Sequence, residues 1–77
     1  MTDTARAFAE DGFELGLISQ ASGGGMSVEA ASAAALARLQ MGTKLKVTIV
    51  EDGSPARNSF RVEVRNLRGN VVGLEFL

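Results

Sequence analysis

Cysteine and histidine are both absent from this chain. Without cysteine there is no disulfide and no thiolate metal site. Without histidine the commonest general base and the commonest metal ligand are gone. Tryptophan and tyrosine are missing too, so four phenylalanines make up the whole aromatic complement. That leaves little for stacking nucleic-acid bases. Neither sign of charge is in surplus: eight Lys and Arg stand against nine Asp and Glu, a net of −1. No bulk attraction for a nucleic-acid polymer follows. No apolar run approaches the roughly 18 residues needed to span a membrane. Met1-Thr2-Asp3-Thr4 lacks the basic and apolar regions of a signal peptide. The expectation is a cytoplasmic protein with no membrane span and no nucleic-acid partner.

With 77 residues the chain has room for a single domain, 1–77. A domain this small buries only about 60% of the surface its unfolded chain exposes. A homo-oligomer, a protein partner or a larger multidomain parent would each add stability. Internal repeats, low-complexity segments and linkers are lacking, so no second boundary is marked. Leu77 falls inside an apolar alternating run. Either that run closes a barrel against the first strand, or the native chain continues beyond it.

The most informative stretch is Gln20-Ala21-Ser22-Gly23-Gly24-Gly25. Three glycines beside Ser and Gln make either a sharp strand reversal or a small anion-accepting loop. No Lys-Ser/Thr follows them, so a Walker-type loop is excluded.

Alternating segments surround this turn. Asp11-Gly12 between two alternating runs is a strong hairpin signal. It predicts strands at about 4–10 and 13–19, with an Ala-rich helix at 4–10 as the other reading. Residues 26–30 alternate again. Lys44 to Val50 is the clearest strand: Leu45, Val47 and Ile49 share one face, Lys44, Lys46 and Thr48 the other. Residues 51–58, with Pro55, form a turn by composition. In 59–65, Phe60, Val62 and Val64 point inward. Arg68-Gly69-Asn70 turns the chain into a last strand, 71–77, with Val72, Leu74 and Phe76 on one face. Between strands three and four, Ala31 to Leu39 is alanine-rich, and Leu36 and Leu39 would share a helical face. A short helix and a helical turn within a loop both fit. It could plug a barrel end, pack on a partner or simply join the core. The fold class is all-β: a small six-stranded antiparallel barrel with a short helical or loop insertion near 30–40. Closure is favoured because it removes exposed sheet edges.

At this point the chain resembles the PilZ domain family. The turn is similar to the family's [Asp/Asn]-x-Ser-x-x-Gly element, with Ser22 as the Ser, Gly25 as the Gly and Gln20 in place of the acid or amide. A second register, with Ser19 as the Ser, puts Leu17 first and Ser22 where the Gly belongs. Met41-Gly42-Thr43-Lys44-Leu45 resembles the Gly-start of the family's fourth strand. Val71-Val72-Gly73-Leu74-Glu75-Phe76 looks like its closing strand. The resemblance runs from the first hairpin to the end of the chain. It implies a six-stranded barrel acting as a regulatory module in bacterial cyclic di-GMP signalling.

The resemblance also implies ligand contacts at Gln20, Ser22, Gly25 and Arg6. Family members that bind the nucleotide use an Arg-x-x-x-Arg element ahead of the first strand. Its guanidiniums fork onto phosphates and stack on guanine faces. Here Arg6 stands alone, with Thr2 four residues before it and Glu10 four after. Gln20 also moves its amide about an ångström further out than Asn would. The expectation is therefore weak or lost nucleotide binding, with action through protein–protein contact. The alternative is a small barrel serving as an assembly or adaptor module with no small-molecule ligand.

Catalytic candidates are few. Asp11 and Asp52 belong to Asp-Gly turns. Asp3 and the six glutamates form no suggestive pairs. Ser19, Ser22 and Ser27 have no histidine to activate them. No catalytic or metal-binding residue is expected, and no cofactor. Arg61, Arg65 and Arg68 form either a basic strip that grips phosphates or an acidic partner, or a solvated outer face of alternating charge; Lys44 and Lys46 read the same way.

Overall fold

The computed structural model describes residues 4–54 and 56–77; Met1, Thr2, Asp3 and Pro55 lie outside them. Alternation and turn chemistry produce six strands. They are β1 (Ala5–Ala9), β2 (Glu14–Ala21), β3 (Gly25–Ala30), β4 (Lys44–Glu51), β5 (Arg57–Arg68) and β6 (Val71–Phe76). One short helix, α1 (Ala33–Arg38), lies between β3 and β4. The strands close into an antiparallel barrel in the order β1-β2-β3-β6-β5-β4. The hairpin reading of the first segment therefore holds, and the helical one does not.

The closing pair differs from the expectation. β6 does not meet β1; it inserts between β3 and β5, and β1 closes the barrel against β4. The physical reason lies in the inward rows. β6 is buried at Val72 and Leu74 and needs apolar neighbours on both sides. Val28 of β3 faces Val72, and Val64 of β5 faces Leu74. Alanine-rich β1 instead fits beside Ile49 and Val47 of β4.

The core gathers Leu15, Met26, Val28, Val47, Val62 and their neighbours inside the barrel. Each fully buried branched side chain contributes on the order of 1.5–3 kcal/mol. Strict alternation fails at two places. Leu17, two residues after buried Leu15, is 41% exposed, and Ile18 packs on the core instead. The cause is a change of register in β2, which shifts against β1 between Ala7 and Phe8. Phe60 lies on the inward row but is 38% exposed, because β6 ends at Phe76 opposite Val62 and no strand flanks Phe60 on that side. There its ring tilts against Phe76, centroids 5.2 Å apart.

The alanine-rich insertion is helical and belongs to the core. Ser32 caps it: its Oγ accepts the Ala35 N–H at 3.1 Å, satisfying one orphan donor of the first turn. Ala35 and Leu39 are fully buried and Leu36 packs on the core. Arg38, in the last turn, reaches back to the first hairpin. Its guanidinium lies 4.0 Å from the centre of the Phe13 ring and donates to both Asp11 oxygens at 3.0 and 3.2 Å. Asp11 also accepts the Phe13 N–H at 3.2 Å. That backbone bond first, and Arg38 second, hold its carboxyl below the usual value of 3.8.

Candidate functional site

The glycine turn is the β2–β3 connection. Ser22 N–H donates to the Gly25 carbonyl at 2.9 Å, so Gly23 and Gly24 are the two residues at its tip. Ser22 Oγ points back to the same carbonyl at 3.5 Å. The strand-reversal reading is thus met, yet the three glycines differ in what they need. Gly23 and Gly24 have open space where a Cβ would stand, and neither has a positive φ. Gly25 has none: the Leu74 carbonyl of β6 occupies that position. A side chain at Gly25 would push β3 and β6 apart.

A cleft of about 480 Å³ opens beside this turn. Gln20, Ser22, Gly24 and Gly25 form one side; Arg65 and Asn66 of β5 form the other, with Gly73 and Glu75 of β6 between them. The fold brings Gln20, Ser22 and Gly25 together on one cleft. Arg6 is elsewhere. It sits on β1, paired with Leu17 and Val50, and does not line the cleft.

Two register shifts shape the walls. β2 slips against β3 between Ile18 and Gln20, leaving Ser19 unpaired. Its Oγ donates to the Ser27 carbonyl at 3.3 Å. β5 slips against β6 between Val64 and Asn66, leaving Arg65 unpaired. A bulge re-aims the residues around it. Here it turns Arg65 over the cleft and lays the Asn66 amide across Gly73, where a Cβ would collide with it. Sequence reasoning treated Arg65 as one of three equivalent arginines. The available signal was Asn66, a poor strand former inside a β run, followed by Gly73 within the next strand.

The cleft's charge is balanced. Arg65 is its one lining cation among the described residues. Its Nη1 lies 3.4 Å from Glu63 and its Nε 3.8 Å from Glu75. Glu75 itself lines the cleft. Ser22, Gln20 and Arg65 offer hydrogen bonds to a polar ligand. Among the described residues, no group of three His, Cys, Asp or Glu side chains gathers as a metal site, and no helix is long and apolar enough to cross a membrane.

A closed six-stranded antiparallel barrel with a polar cleft at the β2–β3 turn defines the class of small closed β-barrel domains. The particular family follows from sequence comparison. The family model for the PilZ domain matches residues 4–77, and the chain belongs to that family. PilZ domains are binding and regulatory modules of cyclic di-GMP signalling. No curated protein matches the chain, and no solved structure does.

Proposed function

We propose that this chain is a PilZ regulatory module that works through protein contact and binds cyclic di-GMP weakly or not at all. The observation that supports this reading is the charge balance of the glycine-turn cleft. Arg65 is flanked by Glu63 and Glu75, and Arg6 is on another wall of the barrel. A phosphate entering the cleft would displace a carboxylate from Arg65 and then face Glu75. Charge-assisted bidentate pairing, the strong form of phosphate recognition, has no free pair of guanidiniums there. Any residual contact would fall to Ser22, Gln20, the backbone around Gly25 and, remotely, Arg6. Calorimetric titration with cyclic di-GMP tests it. The expected result is no heat of binding at micromolar nucleotide. Micromolar binding that Ser22→Ala abolishes would overturn the reading.

A further inference from the structure

Five of the eight cations in the chain collect on one wall, away from the cleft. Cross-strand register puts them there. On the outer side of β1, β4 and β5, Arg6 pairs with Val50, and Val50 with Arg57. In the next row Phe8 meets Thr48, and Thr48 meets Ser59; the two hydroxyls lie 3.1 Å apart. In the row after that Lys46 stands opposite Arg61, and Lys44 follows opposite Glu63. Like charges directly across a ladder destabilise a sheet. Lys46 and Arg61 therefore stand at a stability cost that a solvated face of alternating sign would avoid. Among the described residues none of these five cations has a carboxylate within ion-pair distance.

The wall also has an apolar centre. Phe8 and Val50 are half-buried beside one another's rows, in a shallow hollow whose lining also includes Thr48, Ser59, Arg57 and, at one edge, Glu10. A second hollow, framed by Lys44, Lys46, Arg61 and Glu10, adjoins it. An apolar patch with a cationic rim is the pattern of a protein-docking surface. The wall's carboxylates are few: Glu10 at the rim, Glu63 opposite Lys44, and Glu14 across β1 from Phe8.

We infer that the outer face of β1, β4 and β5 docks an acidic protein segment that also carries apolar side chains. Charge complementarity selects the acidic residues, and the Phe8–Val50 hollow takes the apolar ones. A nucleic-acid strand suits this face less. It offers one ring for stacking, interrupts its cations with Glu10, Glu14 and Glu63, and belongs to a chain of net charge −1. The inference rests on the protein-contact reading above and names the chemistry of the partner.

The test is amide NMR of the full chain, titrated separately with four probes. These are a synthetic peptide of alternating Glu and Leu, its Gln-for-Glu analogue, a single-stranded DNA oligomer, and vesicles of phosphatidylserine and phosphatidylcholine. The acidic peptide should give saturable shifts along β1, β4 and β5, and the Gln analogue should not. Lys46→Gln with Arg61→Gln, which removes a like-charge pair and leaves the spectrum well dispersed, should weaken peptide binding about tenfold or more. Absence of saturable shifts, unchanged affinity in the double variant, or tighter binding of DNA or vesicles would each overturn the inference. Cyclic di-GMP added in a separate arm reports at the β2–β3 turn. Shifts there would strike the reading of the cleft and leave the docking face standing.

Discussion

Gly25 and Gly23 are two residues apart and answer to different constraints. At Gly25 the Leu74 carbonyl already fills the place of a Cβ, and that carbonyl is backbone that cannot swing aside. Gly25→Ala should therefore destabilise the protein by about 2 kcal/mol or more, in the range of overpacked sites. At Gly23 the corresponding space is open and φ is ordinary. Gly23→Ala should stay within about 0.5 kcal/mol, as for unconstrained surface positions. Urea unfolding of the two variants checks both; equal losses would show that the turn, rather than the β3–β6 approach, sets the requirement. Part of this was legible in the sequence. Three glycines announced a tight reversal, but no local pattern distinguishes the glycine that a neighbouring strand crowds from two that nothing touches. That difference comes from β6, some fifty residues later in the chain.

Among the elements, α1 shows how a six-residue helix is held. Its own hydrogen bonds are too few to make it stable alone. Ser32 caps one end, Ala35 and Leu39 bury its inner side, and Arg38 ties the other end to the first hairpin. The Asp11 carboxylate is held in its charged form, first by the Phe13 N–H and then by Arg38. Its folded value is depressed, so its contribution is complete above its ordinary value of 3.8 and is lost as pH falls through the lower folded value. Acid unfolding of the native chain and of Asp11→Asn should give stabilities that differ above pH 3.8 and converge below it. The separation should be small, since the pair is exposed to solvent and salt. Curves that stay parallel through the acid range would remove Asp11 from the account. The sequence marked the Asp11-Gly12 turn and left the Ala-rich segment open between helix and loop. What it lacked was Arg38, whose partners lie 25 and 27 residues away. Strands were easier: β4, β5 and β6 alternate plainly. The bulge at Ser19 of β2 was invisible, because an extra residue leaves the composition unchanged and appears only in the partner's register; at Arg65 of β5 the one hint was Asn66 inside a β run.

At the scale of the whole molecule, two walls of one barrel carry different chemistry. The glycine-turn wall is neutralised around Arg65, and the β1-β4-β5 wall holds five cations. Alternation counted the strands and made closure attractive, yet it gave no order for them. Pairing β1 with β4 joins segments about forty residues apart. Such distant pairings place the chain among slow folders, refolding in milliseconds to seconds. Closure leaves no strand able to detach alone, so unfolding should be one cooperative transition. Amide exchange should report the same stability for β1 as for β5, equal to the global value from circular dichroism. Early exchange confined to β1 would mean that the barrel opens at the β1–β4 seam.

The position of β6 reaches beyond the finished fold into its synthesis. Val71–Phe76 comes last among the described strands yet lies between two earlier ones, bonded to β3 on one side and β5 on the other. A ribosome releases the other five strands first. Until β6 emerges, β3 and β5 each present an unsatisfied edge to whatever protein is nearby, and a nascent chain in that state is open to strand exchange with a second copy.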